Sequence, residues 1–426
     1  MPKIKGFKGV IYNPKIIDDF KNVVAPPYDV ISQEQRDAFY QMNPINVIRL
    51  ILPKEEKGDT ASNNKYTRAK KQLDAWLKDR TLVEDKKDAI YIYTMTYSDK
   101  GKKKTRVGFF SLMEATDFSK KIVLPHEKTH AGPKIDRMKL IKQVKSNLSP
   151  VFCLYEEKEN KITDILNGVM KSQKPMIDVT IDNVTHRFWP LHCKKRIAII
   201  QKIMKDKKVV IADGHHRYTV ACNYKELMSK KPGYKGEADH AMTFFTNLDE
   251  PANVCVWPTH RLIKTKKDVS LETLKNKLGD IFDVKKYKSL SDLIKVMQKD
   301  KKINFGIHVK NGFLHISLKK EADLDSLITE NRSKQWKRLD VAVLHSLVIN
   351  KLLCLKLTEA NVKYVKQAKE VLEDIRSGKY TIAFLMNPTK PKQVLEVAEQ
   401  GDVMPQKSTY FYPKLLTGLV INRMGQ

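Results

Sequence analysis

The spacing of apolar residues predicts helices and strands along the whole chain. In residues 63–79, apolar side chains recur every three or four positions, as on the buried face of an amphipathic helix. The next runs, AIYIYTMTYS and TRVGFFSLMEAT, are rich in β-branched and aromatic residues and are separated by the polar DKGKKK, a pattern typical of a β-hairpin. A second hairpin is predicted in INFGIHVKNGFLHISLK, where Asn311-Gly312 is a favoured two-residue turn. Because helices and strands alternate in this way, we expect a mixed α/β or α+β fold.

Caps and helix breakers predict three further elements. Ser32 can cap a helix in SQEQRDAFYQMNP, which should end before Pro44. The next run, INVIRLILP, is short and apolar and is predicted to be a strand. Another helix is predicted over residues 135–148. Its apolar positions at helical spacing are Ile135, Met138, Ile141 and Val144.

Residues 208–224, KVVIADGHHRYTVACNY, predict a strand, a tight turn and a helix. The run VVI suits a buried strand, and apolar residues recur at helical spacing after the Asp-Gly pair. The first backbone N–H groups of a helix have no partner within the helix, so an anion is favoured at such a turn. His215, His216 and Arg217 add side-chain donors at the same place. The stretch therefore predicts an anion-binding turn, whereas a lone Asp-Gly pair indicates only a turn.

The length of the chain predicts more than one compact region. Its 426 residues exceed the roughly 250–300 residues that one core usually supports. We expect an N-terminal α/β segment at residues 1–121, a core at 122–265 and a C-terminal α/β segment at 266–426. No apolar run approaches the roughly 18 residues of a membrane span, and the first residues contain no secretory apolar segment. A cytoplasmic protein is expected.

The net charge of +30 raises the question of nucleic-acid binding. Most basic residues are lysines, and they are spread over the whole chain, as on a solvated surface. The sequence has no zinc-finger spacing, zipper heptad or aromatic RNA-recognition signature. The five cysteines are also widely separated, which argues against a zinc site or a disulfide framework. We therefore expect no specific binding to nucleic acid.

A second group of polar residues lies in PHEKTHAGPKIDRMKLIKQVKSN. His126 and Glu127 follow the apolar IVL, and Asp136 and Arg137 lie in the next predicted helix. A carboxylate beside the end of a strand is a candidate general base, because proton abstraction from a hydroxyl needs a positioned acceptor. Taken singly, a glutamate or an arginine at a helix start is more often a cap or a surface ion pair. The functional interpretation therefore depends on the motifs in combination.

In combination, PHE, a helix with DR, the strand SPVF and the turn DGHHRY resemble the core of the ParB/sulfiredoxin superfamily, and most closely its free serine kinases. This resemblance covers residues 122–224. Over its whole length the chain resembles a large domain-of-unknown-function family through VAPPYDVIS, HEKT, DGHHRY, PTHR and KSTYFYPKLLTG. The resemblance implies an α/β fold with a ParB/sulfiredoxin-like core and elaborating N- and C-terminal segments.

The resemblance to the serine kinases implies roles for individual residues. Glu127 would be the general base for the substrate hydroxyl, with His126 and Asp213 as further catalytic residues. Asp213 would also hold Mg²⁺, directly or through water, since magnesium usually keeps only one or two protein carboxylates. The nucleotide would be ATP or ADP, with CTP as a third candidate. Its phosphates would be bound by Gly214, His215, His216, Arg217 and Arg137.

The activity implied by the resemblance is that of a small-molecule kinase. It would transfer a phosphoryl group from a nucleotide to the hydroxyl of a small metabolite, with free L-serine as the best candidate. Sulfinic-acid reduction is not expected, because His215 stands where the sulfiredoxins carry their reactive cysteine. The alternative is a nucleotide-binding regulatory or nucleic-acid-associated protein that keeps the turn without kinase activity.

Three other patches are candidates for substrate contacts. The motif MPQKSTYFYPK could bind a carboxylate or phosphate, although a capped turn packed by aromatic residues fits it equally well; its candidates are Lys407, Ser408 and Thr409. The motif PTHR could reach the same cleft, with a structural histidine as the alternative; its candidates are His260 and Arg261. The motif PPYD is predicted to be a rigid turn, and either Tyr28 or Asp29 could line the site.

Overall fold

The computed structural model describes residues 1–425, which form two compact units. Unit 1 comprises residues 1–254 and the chain from residue 413 onward, and unit 2 comprises residues 255–412. The strands, numbered in chain order, are β1 (Ile4–Lys5), β2 (Val10–Tyr12), β3 (Leu82–Glu84), β4 (Ile90–Asp99), β5 (Lys102–Glu114), β6 (Val123–Leu124), β7 (Ser146–Asn147), β8 (Val151–Tyr155), β9 (Ile177–Ile181), β10 (Val184–Leu191), β11 (Val209–Asp213), β12 (His240–Asn247), β13 (Cys255–Val256), β14 (His260–Ile263), β15 (Phe282–Tyr287), β16 (Asn304–Val309), β17 (Gly312–Leu318), β18 (Val362–Val365), β19 (Ile382–Leu385), β20 (Phe411–Tyr412) and β21 (Asn422–Arg423). The helices are α1 (Gln33–Met42), α2 (Ile48–Ile51), α3 (Lys65–Lys78), α4 (Ala131–Val144), α5 (Lys161–Ser172), α6 (Lys194–Lys205), α7 (His215–Ser229), α8 (Leu271–Leu278), α9 (Leu290–Lys299), α10 (Leu324–Leu327), α11 (Lys334–Lys337), α12 (Asp340–Ala342), which continues as a π-helix (Val343–Leu352), α13 (Ala368–Arg376) and α14 (Pro391–Glu399).

Unit 1 is built around a nine-stranded mixed sheet. The strand order is β6-β11-β8-β12-β5-β4-β10-β9, with β1 beside β5. β11 runs parallel to β6 and β12 runs parallel to β8, while the other neighbours are antiparallel. The predicted hairpin is β4–β5, and it lies in the middle of the sheet between β12 and β10. The mixed α/β fold class is therefore confirmed, and the expected boundary at residue 121 falls between strands of one sheet.

One apolar cluster of unit 1 lies between the sheet and helices α5 and α6, with Tyr218 and Ala221 of α7 beside them. Alternate positions of the central strands point to these helices, because side chains of a strand alternate between the two faces of a sheet. The helices contribute their apolar positions at helical spacing. The buried residues from the helices are Ile162, Leu166, Val169, Ile197, Ile200 and Met204, and those from the strands include Ile92, Phe109, Cys153, Ile211 and Phe245.

The last residues of the chain complete unit 1. β21 pairs antiparallel with β7, with Asn422 opposite Asn147. Isolated bridges also join Ile421 to Val10 and Thr417 to Ala25. The expected C-terminal segment 266–426 is consequently shared between the units, because the chain returns from unit 2 to unit 1 at residue 413.

Unit 2 contains a six-stranded antiparallel sheet. The strand order is β15-β17-β16-β19-β14-β18, and β13 pairs separately with β20. The predicted hairpin is confirmed as β16–β17, but its two-residue turn is Lys310-Asn311 and not Asn311-Gly312, because Gly312 pairs with Val309. Gly312 has a φ of +139°. One cluster of its buried apolar residues includes Leu262, Leu293, Met297, Val371, Ala383 and Leu385.

Two predicted elements are wrong in type or in bounds. INVIRLILP contains the helix α2 instead of a strand, because the side chain of Asn46 accepts from the N–H of Ile48 (2.9 Å) and so begins a helical turn. The helix predicted over residues 135–148 is α4, which begins at Ala131, before Pro133, and ends at Val144; the next residue, Lys145, has a φ of +45°. Proline is tolerated in the first turn of a helix, because the N–H groups of that turn have no carbonyl partner within the helix and the N–H that proline lacks is not needed. The helices predicted at α1 and α3 are confirmed, and none of the helices in residues 1–425 is long and apolar enough to cross a membrane.

A buried arginine of the central sheet contacts the two places in unit 1 at which the chain leaves for unit 2 and returns from it. Arg106 of β5 is fully buried. Its Nε donates to the carbonyl oxygen of Asn253 (2.5 Å) and its Nη1 donates to that of Pro413 (2.8 Å). Its guanidinium carbon also lies 5.0 Å from the centroid of the Phe152 ring. Because buried carbonyl groups without a donor are costly, Arg106 stabilises both connections.

We expect Arg106→Leu to lower the free energy of unfolding by about 2–5 kcal/mol, because two buried carbonyl groups lose their donor at about 1–3 kcal/mol each. Urea unfolding followed by circular dichroism measures the loss. Arg187→Leu is the matched control, since Arg187 lies on β10 of the same sheet and its ion pair with Asp178 (2.9 Å) is exposed. Exposed pairs contribute about 0–1 kcal/mol, so equal effects of the two substitutions would contradict the assignment.

Candidate functional site

The predicted turn lies between strand β11 and helix α7. β11 ends at Asp213, Gly214 follows in the left-handed region with a φ of +92°, and α7 begins at His215. The N–H of Tyr218 makes the first bond of the helix, to the carbonyl of Gly214 (2.9 Å). A Cβ at position 214 would lie 3.0 Å from Nε and Cζ of Arg217, so both the backbone and the packing favour glycine. The N–H groups of the first helical turn therefore point towards this turn, as an anion site requires.

The PHE motif lies beside the turn because β6 and β11 are parallel neighbours. Val123 is paired with Val209 and Leu124 with Val210, so the residues after both strands leave the sheet at the same edge. The N–H of His126 donates to Nε2 of His215 (3.2 Å). The two imidazole rings meet edge to face, with centroids 4.6 Å apart. The sheet thus brings together two motifs that are almost ninety residues apart in the sequence.

Hydrogen bonds fix the tautomers of these histidines. Nδ1 of His126 lies 2.6 Å from the carbonyl oxygen of Ile211, so this nitrogen carries the proton. Nε2 of His215 accepts from His126, so the proton of His215 is on Nδ1, which lies 3.7 Å from Oε2 of Glu127. Burial lowers the pKa of His126 to about 4, and burial together with the neighbouring His126 lowers the pKa of His215 well below its usual value. His126 and His215 are therefore neutral near pH 7, and His215 directs an N–H towards the Glu127 carboxylate.

A second histidine pair lies next to the first. The N–H of His130 donates to Nε2 of His216 (2.9 Å), and the two rings stack with centroids 6.1 Å apart. His216 is half-buried, and burial followed by the charge of His130 lowers its pKa. His216 therefore holds the segment after Glu127 close to the turn.

Asp213 lies between two cations. Its Oδ2 accepts from Nζ of Lys414 (2.7 Å), and its Oδ1 accepts from Nη2 of Arg217 (3.3 Å). Burial alone would raise the pKa of Asp213, but the charges of Lys414 and Arg217 outweigh it and hold the pKa well below its usual range. Asp213 is therefore ionised, and both its oxygens already accept from cations.

The expected role of Asp213 as a magnesium ligand, directly or through water, stays a prediction. A metal ion bound directly to this carboxylate would have Lys414 and Arg217 as neighbours and would use the lone pairs that their hydrogen bonds leave. In the described part of the chain, no group of three or more histidine, cysteine, aspartate or glutamate side chains could hold a metal ion. The positive charge at the turn comes from Lys414 and Arg217.

Arg137 lines a cavity that lies beside Arg217 of the DGHHR turn. Its Nη1 donates to the carbonyl oxygen of Ile51 (2.6 Å), and its Nε donates to the carboxylate of Asp136 (2.8 Å). Its guanidinium carbon lies 4.1 Å from the centroid of the Tyr28 ring. A cavity beside Arg217 is lined by both Tyr28 and Arg137, so the PPYD turn reaches the region of the DGHHR turn.

The substrate candidates of the PTHR and MPQKSTYFYPK motifs lie in unit 2 and make bonds within that unit. Nδ1 of His260 accepts from the N–H of Met386 (3.1 Å). Arg261 is almost fully buried, and its Nη2 donates to the carbonyl oxygen of Lys407 (2.9 Å). The carbonyl oxygen of Ser408 accepts from Thr389 (2.8 Å), and its hydroxyl donates to the carbonyl oxygen of Pro405. These bonds, together with the position of Thr409 in the same segment, favour the structural alternative for both motifs.

Lys414 was not among the predicted site residues. It belongs to the same C-terminal motif as Lys407, but the chain has returned to unit 1 before it is reached. In the sequence, Lys414 is marked only as the last lysine of KSTYFYPK. Its partner Asp213 lies about 200 residues earlier, so no local pattern connects the two. Only the return of the chain makes Lys414 a site residue.

Comparisons with known proteins agree with the expected family. The model of a family described as "Protein of unknown function (DUF1015)" matches residues 4–342. No curated protein matches the chain. A mutant free serine kinase in complex with ADP is 12% identical, with 68% of this chain and 84% of that chain covered and a TM-score of 0.33. A free serine kinase in complex with AMP is 14% identical, with 68% and 83% covered and a TM-score of 0.33.

A third solved structure, SbnI with a C-terminal truncation from Staphylococcus aureus, is also similar to this chain. It is 12% identical, with 73% of this chain and 86% of that chain covered and a TM-score of 0.35. At such scores these likenesses carry no argument about chemistry. The function is therefore argued from the side chains of the site.

We expect the stability of the protein to fall between pH 7 and pH 5, in part because of His126. Its folded-state pKa of about 4 lies below the usual 6.5, so the unfolded chain takes up a proton first as the pH falls. The contribution is present above pH 6.5 and decreases by roughly 2 kcal/mol on going to pH 5. His126→Gln removes the titrating group and should make the loss between pH 7 and pH 5 smaller by that amount in urea unfolding. An unchanged loss would show that His126 does not stay neutral in the folded protein.

Proposed function

The chain belongs to the DUF1015 family, and from the geometry of its site we propose that it is a nucleotide-dependent phosphotransferase that acts on the hydroxyl of a small metabolite. Free L-serine is the first acceptor to test, because the PHE and DGHHR motifs resemble those of free serine kinases. ATP, ADP and CTP are the donors to test. The proposal rests on one observation above all, the position of Glu127 beside the DGHHR turn.

Phosphoryl transfer needs a proton acceptor and an anion site in one place. Glu127 Oε2 lies 3.7 Å from Nδ1 of His215, the first residue of α7, so a carboxylate stands next to the N-terminus of that helix. The Glu127 side chain is 42% exposed and can therefore be reached by a small substrate. An isolated helix N-terminus would bind an anion without activating a nucleophile. The carboxylate is what makes the site suitable for transfer to a hydroxyl.

In the proposed reaction, the acceptor hydroxyl gives its proton to the Glu127 carboxylate as its oxygen attacks the terminal phosphorus. A new oxygen–phosphorus bond forms, the bond to the bridging oxygen of the nucleotide breaks, and the shortened nucleotide leaves with that electron pair. Catalysis of such a transfer consists largely of positioning and of charge stabilisation. In this proposal the first N–H groups of α7, together with Arg217 and Lys414 beside Asp213, stabilise the negative charge.

His215 is proposed to orient Glu127 and not to bind phosphate itself. It is buried, its Nε2 accepts from the N–H of His126, and its Nδ1–H faces the glutamate. A neutral imidazole in that position favours the ionised carboxylate, which is the form that can accept a proton. His216 is more exposed than His215 and remains the candidate phosphate contact of the pair.

Lys414 and Arg217 are proposed to supply the positive charge that metal ions supply in many phosphotransferases. Asp213 accepts from both cations and fixes their positions at the turn. An ammonium group has three donors, so Lys414 can donate to Asp213 and to a phosphate at the same time. We derive no step through magnesium, and assays include it as the counter-ion of the nucleotide.

We expect Glu127→Gln to lower kcat by about 10²- to 10⁴-fold and to leave nucleotide affinity unchanged. Glutamine keeps the shape of the side chain but cannot accept the proton, so the loss falls on the chemical step. Labelled L-serine followed by mass spectrometry measures turnover, and calorimetry measures nucleotide binding. Glu226→Gln is the control, because Glu226 is an exposed carboxylate on α7 that pairs with Lys230 (2.7 Å).

A nucleotide-binding regulatory protein without kinase activity is the alternative, and it predicts different results. Failure with serine alone, followed by transfer to another metabolite with a primary hydroxyl, would mean that the acceptor was wrong. Nucleotide binding without transfer to any acceptor would identify a nucleotide-binding regulatory protein and refute the phosphotransferase proposal.

We expect Lys414→Met to lower kcat/KM by about 10²- to 10³-fold, the range observed when one donor to a developing negative charge is removed. Lys414→Arg keeps the charge and should retain more activity than the methionine variant. Lys225→Met is the matched control. Lys225, on α7, is also a bonded lysine beside a carboxylate, since it donates to the carbonyl of Ala115 (3.0 Å) and lies 3.5 Å from Glu114. Equal activity of the Lys414 and Lys225 methionine variants would show that Lys414 is only structural.

A further inference from the structure

A pocket of unit 2 lies at one end of its six-stranded sheet. Its volume is about 380 Å³, and its walls are residues 268–270 before α8, the turn 310–311 between β16 and β17, the end of α13 at 375–378 and residues 380–381 before β19. All these residues belong to unit 2. Pockets that bind small molecules commonly have volumes of about 300–1,000 Å³, so this one is large enough for a small metabolite.

The pairing of the strands brings these segments together. Ile382, at the start of β19, is paired with Val309 at the end of β16 and with Ile263 at the end of β14. The chain segments that follow or precede these residues therefore leave the sheet at the same end. The pocket is built by the sheet and two helix ends, and not by a single loop.

The pocket contains two cations that have no partner. Lys310 and Arg376 both line it, and within residues 1–425 neither makes a hydrogen bond or an ion pair. Arg338 of the same unit, by contrast, pairs with Asp325 (3.1 Å). The carboxylate of Asp268 also lines the pocket but pairs with neither cation. An anionic group in the pocket would therefore gain charge-assisted hydrogen bonds that no side chain of the described chain provides.

The two helix ends at the pocket also favour an anion. Ser270 caps α8, since its Oγ accepts from the N–H of Thr273 (3.1 Å), so the N-terminus of this helix borders the pocket. At the end of α13, carbonyl groups of the last turn accept from the N–H groups of Ser377 (3.0 Å), Gly378 (3.1 Å) and Tyr380 (3.3 Å). These carbonyls already have donors, so the free backbone groups at the pocket are mainly the N–H groups of α8.

The remaining lining residues suit hydroxyl groups. The amide of Asn311, the hydroxyl of Tyr380 and the carboxylate of Asp268 make no hydrogen bond with another residue of the described chain. The large apolar side chains of the lining are only Val269 and Ile375. A ligand that is rich in hydroxyl groups fits such walls better than an apolar or aromatic one, because hydroxyls both donate and accept.

We propose that this pocket binds a small polyhydroxylated phosphate ester, of the class of the sugar phosphates. Lys310 and Arg376 bind the phosphate, whose charge of about −1.5 to −2 at pH 7 matches two cations. Asp268, Asn311 and Tyr380 bind the hydroxyl groups. The site belongs to unit 2 alone and does not depend on the proposed phosphotransferase.

Calorimetric titrations of the full chain with glucose 6-phosphate, glucose and inorganic phosphate test the proposal. We expect glucose 6-phosphate to bind at least about tenfold more tightly than glucose or phosphate, because only the ester contacts both the cations and the hydroxyl-binding groups. Arg376→Gln and Lys310→Gln should each lower this affinity by about tenfold or more, as expected for the loss of one charge-assisted contact. Both side chains are exposed, so these variants should keep the thermal stability of the wild type.

Three further variants make the test specific to the pocket. Arg338→Gln is the matched control, because Arg338 is an exposed arginine of unit 2 that does not line the pocket. Asp268→Ala should lower the affinity for glucose 6-phosphate relative to that for phosphate, because it removes an acceptor for hydroxyls. Asn311→Trp, in an exposed turn, fills the pocket and should weaken binding of the ester without any change in charge.

The outcomes separate this site from the candidate site of unit 1. No binding of glucose 6-phosphate at millimolar concentration, or equal affinities for the ester and for phosphate, would overturn the proposal. An affinity that is unaffected by Arg376→Gln, or that falls equally with Arg338→Gln, would overturn it as well. Binding that is lost in Lys414→Met but kept in Arg376→Gln would place the phosphate at the DGHHR turn and refute the pocket, whatever the assays of phosphoryl transfer show.

Discussion

The ion pairs of Asp213 connect the parts of the chain that build the site. This buried carboxylate lies at the end of β11 and accepts from Arg217 on α7 and from Lys414 in the returning C-terminal segment. A buried charge is tolerated only when it is paired and hydrogen-bonded. The geometry of the turn and the return of the chain to unit 1 therefore depend on each other. The same pairs fix two cations at the N-terminus of a helix, where an anion is already favoured.

The parallel pairing of β6 with β11 brings the two motifs of the candidate site together. It places the residues after both strands at one edge of the sheet, so the PHE and DGHHR motifs meet. At this edge the His126 ring donates to the carbonyl of Ile211, the backbone N–H of His126 donates to the His215 ring, and Nδ1 of His215 faces Glu127. Since burial lowers the pKa of both these histidines, they act as neutral donors and acceptors, and the charge of the site is carried by arginine, lysine and glutamate.

The division into two units separates the candidate residues by role. The residues that lie together in the candidate site, from His126 to Lys414, belong to unit 1. The histidine and arginine of PTHR and the polar residues of KSTYFYPK before Pro413 are bonded within unit 2 and stabilise that unit. Tyr28 shows the opposite case, because a turn predicted to be mainly structural supplies an aromatic wall beside Arg217.

Much of this arrangement could be predicted from the sequence. The sequence alone determined the mixed fold class, the helices α1 and α3, the two hairpins and the strand–turn–helix at Asp213, because each depends on periodicity, caps or turn residues that are local in the chain. It did not determine whether the apolar INVIRLILP forms a strand or a helix, since a run that is buried on all sides has no periodicity to distinguish them. Only the tertiary structure decided that Lys414 lies on Asp213, that Tyr28 stacks on Arg137 and that the segment 266–426 is shared between two units. These contacts join residues that are distant in the chain, and no local pattern records which distant strands become neighbours in a sheet.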